Sequence, residues 1–159
     1  MRDSLETLKG KKNLIGCEVG VDKAENATDM LQNLDIKQLY LVDVWGMPDS
    51  GKDVRTLKIA QANVSGYNAE IIWLIKKSED VTDEEIPLLS LDFVYIDGDH
   101  RYHAVKKDLE NYWPRVKLGG LFAGHDYGNR NVHKAVHEFC EYREVLSHPT
   151  RTGDWWVLK

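Results

Sequence analysis

The chain has 159 residues, of which 42% are apolar and 30% are charged, and its formal net charge at pH 7 is −5. These values are typical of one soluble globular domain, expected over residues 1–159, with enough chain to bury an apolar core. No apolar run reaches the roughly 18 residues of a membrane span, and the acidic balance argues against a nucleic-acid-binding protein, which needs a basic face. The polar start predicts no secretion signal, so we expect a cytoplasmic protein with a neutral or cationic small ligand.

Strand-like and helical patterns alternate along the chain. Residues 13–19 (NLIGCEV) are predicted to form a buried strand, and apolar residues at helical spacing predict a helix over 23–34. The next elements, in chain order, are a strand over 38–44, a helix over 51–67, a strand over 69–75, an acidic turn or short helix over 81–89, a strand over 91–97 and a helix over 103–113 that ends before Pro114. The last elements are a strand over 117–126, a helix over 131–142 and two strands over 143–147 and 154–159.

This order of elements predicts a Rossmann-like α/β fold. The first five strands are separated mainly by helices, which is typical of a doubly wound parallel sheet with right-handed crossovers. The last two strands have no helix between them, so we expect an antiparallel hairpin at one edge of the sheet. The sequence therefore predicts a seven-stranded, mainly parallel sheet with one antiparallel strand near the C-terminus.

The residues predicted at the carboxyl ends of the strands, where ligands of open α/β sheets bind, are mostly acidic. A dinucleotide would place its pyrophosphate at the start of the first helix, close to Glu18, Asp22 and Glu25. Like charges about 4 Å apart cost on the order of 4 kcal/mol at an effective dielectric constant of about 20. S-adenosylmethionine instead brings a positive sulfonium and a positive ammonium. Asp43, which follows Gly20 by 23 residues, can accept the ribose hydroxyls of either ligand.

Three stretches of the chain resemble the class I S-adenosylmethionine-dependent methyltransferases, specifically the small bacterial methyltransferase 24 type. They are EVGVDKAENA, LYLVDVW and FVYIDGDHRYHAVKKDLENYWPRVKLGGLFAGHDY, and the likeness extends from about residue 13 to the final GDWWVLK. The resemblance implies the sheet order 3-2-1-4-5-7-6.

The same resemblance implies a set of cofactor-binding residues: Glu18 and Gly20 for the methionine part, Asp43 for the ribose, Ser78 and Glu79 for the adenine, and Asp97 to close the site. Trp45, two residues after Asp43, either covers the adenine or packs in the core.

Two catalytic uses of the acidic stretch after the fourth strand stay open. Related catechol-type O-methyltransferases hold a divalent ion such as Mg²⁺ at positions that match Asp97, His125 and Asp126 here, and the ion activates a substrate hydroxyl. In that family a lysine serves as base where His100 stands here, and a histidine can do this work at neutral pH. There are also plainer alternatives. Asp99 caps the next helix, and His100 only forms a hydrogen bond to the loop. In that case the methyl transfer is driven by the positioning of the two reactants alone.

We therefore expect an enzyme that moves the methyl group of S-adenosylmethionine to a small-molecule acceptor, with a hydroxyl of a sugar or natural product as the favoured target. Asp97 and His100 are the candidate catalytic residues. The alternatives are a non-catalytic module that binds S-adenosylmethionine or a nucleotide, and an NAD(P)-dependent oxidoreductase. The sequence shows no long insertion that could form a lid, so either the cleft is open or a second subunit of a homodimer completes its wall.

Overall fold

A computed structural model describes residues 1–48 and 50–159 of the chain. Its strands are β1 (Leu14–Val19), β2 (Ile36–Asp43), β3 (Glu70–Ile75), β4 (Leu91–Ile96), β5 (Val116–Gly124), β6 (His148–Pro149) and β7 (Trp155–Leu158). Its α-helices are α1 (Glu25–Asn33), α2 (Val54–Val64), α3 (Tyr102–Tyr112) and α4 (Arg130–Arg143), and short 3₁₀ turns cover Asp3–Leu8, Ser78–Asp80 and Trp113–Arg115.

The strands form one sheet in the order β3-β2-β1-β4-β5-β7-β6, which confirms the predicted order. The pairs from β3 to β5 are all parallel, and β7 runs antiparallel to both β5 and β6. The sixth strand differs from the prediction of residues 143–147, because α4 continues through Arg143 and ends with Glu144 in the left-handed conformation. The edge strand is therefore reduced to His148–Pro149.

Helices cover both faces of the sheet, and each face has its own apolar core. Alternate residues of β4 show the division, since Phe93 and Tyr95 pack with α1 and α2, whereas Val94 and Ile96 pack with α3 and α4. The Asp3–Leu8 turn adds two buried leucines to the core that α1 and α2 form with the sheet. Because helices pack on both faces, the sheet is doubly wound, as predicted. The carboxyl ends of the parallel strands stay accessible to ligands.

Local signals explain where several helices begin and end. The side chain of Asp53 caps α2 by accepting a hydrogen bond from the Arg55 N–H, and Asn129 caps α4 in the same way. Helix α3 ends at Tyr112 and passes into the 3₁₀ turn that contains Pro114, close to the predicted stop. Among the described residues, every helix is too short or too polar to cross a bilayer.

Candidate active site

A cavity of about 810 Å³ opens at the carboxyl edge of the sheet, between the loops that follow β1 to β4 and the first turns of α3. Its volume lies within the range of about 300–1,000 Å³ that is usual for small-molecule sites. Five of the six predicted cofactor-binding residues line it, namely Gly20, Asp43, Ser78, Glu79 and Asp97. The structure thus brings together side chains that are far apart in the sequence.

Gly20 directly follows β1, at the point where the chain passes against the loop after β4. Its φ angle is +83°, and a Cβ atom there would lie 2.1 Å from the carbonyl oxygen of Asp97. Its N–H donates to the Val42 carbonyl at 2.9 Å, which also ties it to β2. Only glycine combines this backbone conformation with such a close approach, so Gly20 shapes the centre of the cavity floor.

Asp43 ends β2, is 6% exposed, and is held by four donors. Its Oδ2 accepts the N–H groups of Val21 and Asp22 at 2.8 Å each and contacts Lys52 Nζ at 2.5 Å. Its Oδ1 accepts the Val44 N–H at 2.7 Å. Asp43 therefore fixes the turn after β1, and a ribose hydroxyl must use the free side of Oδ1 or displace Lys52.

Glu18 is the predicted cofactor residue that does not line the cavity, and it is 1% exposed. Its Oε1 accepts a hydrogen bond from Asn26 Nδ2 at 2.8 Å, and its Oε2 has no partner in the described part of the chain. Burial raises the pKa of Glu18 to about 8, an effect that the Asn26 hydrogen bond opposes. Near neutral pH this carboxyl is therefore largely protonated.

The charge around the cavity is more mixed than the sequence predicted. Asp22 and Glu25 lie outside the lining, while four lysines lie on it: Lys52, Lys76, Lys77 and Lys107. The lysines come from loops and from α3, far in sequence from the first turn, and the linear pattern did not reveal them. The acids expected at the carboxyl ends of the strands are thus partly neutralised by lysines, such as Asp43 by Lys52 and Glu79 by Lys107.

Ser78 and Glu79 form the wall of the cavity next to α3. The Ser78 carbonyl accepts hydrogen bonds from Asn111 Nδ2 at 2.8 Å and from the Tyr112 hydroxyl at 3.2 Å. The hydrogen bond from Lys107 lowers the pKa of Glu79. These contacts clamp the Ser78–Asp80 turn to α3.

Asp97, His100, His125 and Asp126 form a cluster at the mouth of the site. Nε2 of His100 lies 3.1 Å from Oδ2 of Asp126 and 3.6 Å from Oδ1 of Asp97, although it is not aligned for a hydrogen bond with either. Nδ1 of His125 lies 3.2 Å from Oδ2 of Asp126 and 3.9 Å from Oδ1 of Asp97. Burial raises the pKa of Asp97, and the charge of His125 opposes that rise. The cluster can accept a proton or hold a cation.

The cluster also bears on the predicted metal site. One ligand atom each from Asp97, His100 and Asp126 lie within 4.8 Å of one another, so His100 is a further candidate ligand beside the predicted His125, whose Nδ1 also faces both acids. Two carboxylates and one imidazole fit a hard divalent ion such as Mg²⁺ or Mn²⁺. The presence of a metal ion stays a prediction. If Nε2 of His100 binds the ion, the same nitrogen cannot also accept a proton as a base.

Asp154, which sequence reasoning did not single out, lies behind this cluster and is 0% exposed. It accepts hydrogen bonds from the Tyr95 hydroxyl at 3.0 Å and the Ser4 hydroxyl at 2.8 Å. Nε2 of His125 lies 4.0 Å from it and Arg2 lies 3.9 Å from it. The buried carboxylate thus joins the first and last segments of the chain to β4, directly beneath the mouth of the site.

Trp45 and Asp99 both have structural roles in the fold. Trp45 is 2% exposed, packs edge-to-face on Trp73 at 5.4 Å and donates its Nε1–H to the Asp22 carbonyl, so it is a core residue. Asp99 accepts the N–H of Arg101 at 2.9 Å, one residue before α3 begins, and so orders the turn that leads into the helix.

A family model described as "Methyltransferase domain", of the methyltransferase 24 type, matches residues 15–127, which is well over half of the chain. The chain therefore belongs to this family of methyltransferase domains, and it has the fold of class I S-adenosylmethionine-dependent methyltransferases. The family assignment confirms the resemblance to methyltransferases, so the alternative of an NAD(P)-dependent oxidoreductase is wrong.

One curated relative is an uncharacterized protein of Acanthamoeba polyphaga mimivirus, 27% identical over 122 residues, or 74% of this chain. The chain spans about half, 53%, of that relative's length.

Several solved structures share the fold. A precorrin-6y C5,15-methyltransferase from Geobacter metallireducens matches with a TM-score of 0.74 at 13% identity, over 98% of this chain and 85% of that one. A TDP-rhamnose 3′-O-methyltransferase of calicheamicin biosynthesis matches with a TM-score of 0.65 at 13% identity, over 91% and 71%. The N-methyltransferase NodS from Bradyrhizobium japonicum, solved with S-adenosylhomocysteine, matches with a TM-score of 0.63 at 14% identity, over 97% and 79%.

Proposed function

We propose that this methyltransferase transfers the methyl group of S-adenosylmethionine to a hydroxyl group of a small-molecule acceptor. The observation that carries the proposal is the cluster of Asp97, His100 and Asp126 beside the cavity. When a hydroxyl oxygen attacks the methyl carbon, the carbon–sulfur bond breaks, S-adenosylhomocysteine leaves, and the hydroxyl proton needs an acceptor. A histidine between two carboxylates supplies that acceptor.

In this proposal the cofactor occupies the 810 Å³ cavity. Gly20 lets the methionine part approach the backbone, with Glu18 beneath it, and Asp97 closes the site. Asp43 accepts a ribose hydroxyl on the free side of Oδ1. Ser78 and Glu79 border the adenine. The support for this placement is that all of these residues except Glu18 line one continuous cavity at the carboxyl edge.

His100 acts as the general base of the proposed reaction. Its Nε2 faces Asp97 and Asp126, so Nδ1 is the nitrogen that takes the proton from the acceptor. The two carboxylates then lie next to the imidazolium that forms and stabilise it. A divalent ion is the alternative use of the same side chains: it would be held by Asp97, His100 and Asp126 and would make the acceptor hydroxyl easier to deprotonate.

The acceptor class is a proposal that one structural neighbour supports, namely the sugar O-methyltransferase of calicheamicin biosynthesis. Sugar or natural-product hydroxyls are therefore the first acceptors to test. The side chains at the mouth are between 22% and 42% exposed, so the acceptor side is open to solvent. We propose that a second subunit of a homodimer covers this side, and sedimentation of the purified chain tests that proposal. We further propose that the protein is a single cytoplasmic domain without affinity for nucleic acid.

The experiment is a methylation assay of the full chain with S-adenosylmethionine, a panel of sugars, nucleotide sugars and phenols, and a matched panel of amines. Mass spectrometry identifies each product. We expect methyl ethers, and a loss of kcat of about 10²- to 10⁴-fold in His100→Ala. The control is His137→Ala, an exposed histidine on α4.

Three outcomes of this assay decide the proposal. Methylated amines without methyl ethers would overturn the acceptor class. Full activity of His100→Ala would overturn the base. Loss of activity in a chelator, with recovery on addition of Mg²⁺ or Mn²⁺, would favour the ion over the free base.

A further inference from the structure

Trp155 has a buried N–H donor for which the fold supplies no acceptor. It is the first residue of β7 and is 1% exposed, and its Nε1 has no hydrogen-bond partner within residues 1–48 and 50–159. A buried indole N–H usually finds an acceptor, because an unpaired donor costs free energy when it leaves water. A phenyl ring would pack at this place without that cost. The N–H therefore indicates a bound partner.

The ring edge that carries this N–H lies at the carboxyl ends of β4 and β5. A Cβ atom on Gly124, the last residue of β5, would lie 2.8 Å from Cε2 of Trp155, the ring atom bonded to Nε1. The same Cβ would lie 2.6 Å from the carbonyl oxygen of Ile96, the last residue of β4. The loops that carry Asp97 and His125 begin at these two strand ends. The donor thus lies close to the cluster at the mouth of the site.

A small cavity separates Trp155 from that cluster. Its volume is about 10 Å³, and its lining includes Trp155, Asp97, His100, Val105 of α3 and Val132 of α4. A space of this size holds about one water molecule and nothing larger. Its lining combines apolar walls from the two helices with polar groups from the mouth.

His100 brings a second buried nitrogen without a partner to the same cavity. Nε2 of His100 is shielded from solvent, although the side chain as a whole is 42% exposed, and it makes no hydrogen bond with the described residues. The proposed reaction uses Nδ1 as the base, so Nε2 carries the hydrogen and is a donor. Two residues with N–H donors and the carboxylate of Asp97 therefore line the cavity. Water suits this set, because its oxygen accepts two hydrogen bonds and its hydrogens can be donated to the carboxylate.

We propose that Trp155 is a positioning residue that binds one water molecule in this cavity and, through it, orients His100 for proton transfer. The water accepts hydrogen bonds from Nε1–H of Trp155 and Nε2–H of His100 and donates one to the carboxylate of Asp97. The inference rests on the proposed function, which makes His100 the base. Because Nε2 keeps its hydrogen in this arrangement, Nδ1 stays free to take the proton of the acceptor hydroxyl.

The first test is a high-resolution crystal structure of the full chain. It should show an ordered water whose oxygen lies within about 3.2 Å of both Nε1 of Trp155 and Nε2 of His100. The structure of Trp155→Phe should lack this water or show it moved away from His100.

The second test is a double-mutant cycle in the methylation assay. Trp155→Phe removes the N–H and should lower kcat by about 3- to 10-fold, with the KM values of both substrates within about twofold of wild type. In the His100→Ala background the same change should leave kcat within about twofold, because the group that it positions is gone. Trp156→Phe is the matched control and should keep the wild-type kcat, since Trp156 packs on the other face of the sheet and stacks on His148 at 4.2 Å.

The outcomes separate this inference from the function on which it rests. If the wild-type protein methylates no hydroxyl, the proposed function fails and the positioning role fails with it, whereas a water found in the crystal structure still supports the binding site. If methyl ethers form but no water lies at Nε1 of Trp155, the inference is overturned. It is also overturned if Trp155→Phe keeps the wild-type kcat or lowers kcat by the same factor in both backgrounds, because Trp155 then only packs in the core. Near-ultraviolet circular dichroism of each variant checks that it is folded.

Discussion

The carboxyl edge of the sheet carries two regions that are built in different ways. The half proposed to bind the cofactor (the cofactor half), around Gly20 and Asp43, is held by backbone hydrogen bonds and by a contact that leaves no room for a side chain. The half proposed to bind the acceptor (the acceptor half), made of Asp97, His100, His125 and Asp126, consists of partly exposed side chains that meet at the mouth.

The two halves depend on the fold to different degrees. Backbone contacts at strand ends follow from the sheet order, which neighbours with only 13–14% identity share. The side chains at the mouth are 22–42% exposed, so they contribute less to the packing of the sheet. The proposed cofactor therefore follows from the family, whereas the proposed acceptor rests on a few side chains at the mouth.

The largest expected effect is on Gly20. Gly20→Ala should lower the free energy of unfolding by about 3–5 kcal/mol, because it adds a left-handed alanine and a clash with the Asp97 carbonyl. Gly10→Ala is the matched control, since Gly10 has nearly the same φ of +82° with no atom within 4 Å of the added Cβ. It should cost about 1 kcal/mol in urea unfolding. Equal losses in the two variants would show that the cofactor half is not tightly packed at Gly20.

The second effect concerns the buried carboxyl beneath the cofactor half. The folded pKa of Glu18 is about 8, above its ordinary 4.5, so the folded state binds more protons than the unfolded state between these values. Stability should therefore fall as the pH rises from about 4.5 to about 8. Glu18→Gln should remove this loss and gain about 2–3 kcal/mol at pH 8, with much less gain at pH 5.

Denaturant unfolding between pH 5 and pH 8.5 measures the Glu18 effect. Glu84→Gln, a change at an exposed glutamate in the turn before β4, serves as control and should leave the pH dependence unchanged. A parallel pH dependence in wild type and Glu18→Gln would contradict the assignment.

The third effect tests how the cofactor half recognises its ligand. Asp43→Ala removes the acceptor of three backbone N–H groups and should weaken binding of S-adenosylhomocysteine by about 10- to 100-fold. Lys52→Met removes only the side chain that competes for Oδ2, so its affinity should stay equal or rise by a few fold. Isothermal titration measures both. Weaker binding in Lys52→Met would mean that the lysine itself contacts the cofactor.

The smallest expected effect on stability is in the acceptor half. His100→Ala should change the free energy of unfolding by less than about 1 kcal/mol, because the side chain is 42% exposed and makes no aligned hydrogen bond through Nε2. Its affinity for S-adenosylhomocysteine should stay within about threefold of wild type. A large loss of stability would show that the two halves form one structural unit and are not built in different ways.

Local patterns were enough to predict the strands β1 to β5 and β7, the helices between them and the positions of Gly20 and Asp43. Each follows from a short stretch: a strand from its apolar run, a helix from its spacing, and a site residue from its place just after a strand. The family resemblance then predicted the sheet order that the structure confirms. The short sixth strand was placed too early, because nothing local shows how far α4 continues.

Contacts between distant segments could not be predicted in this way. The pairing of Lys52 with Asp43, the approach of His100 to Asp126 and the burial of Asp108 on the cavity wall all depend on how loops fold back over the edge of the sheet. Periodicity reports which face of an element is apolar, but it does not report which polar side chains from different loops meet. The class of cofactor could therefore be inferred from the sequence, whereas the charge balance of the site depends on the folded arrangement, because its lysines and acids come from loops that are far apart in the chain.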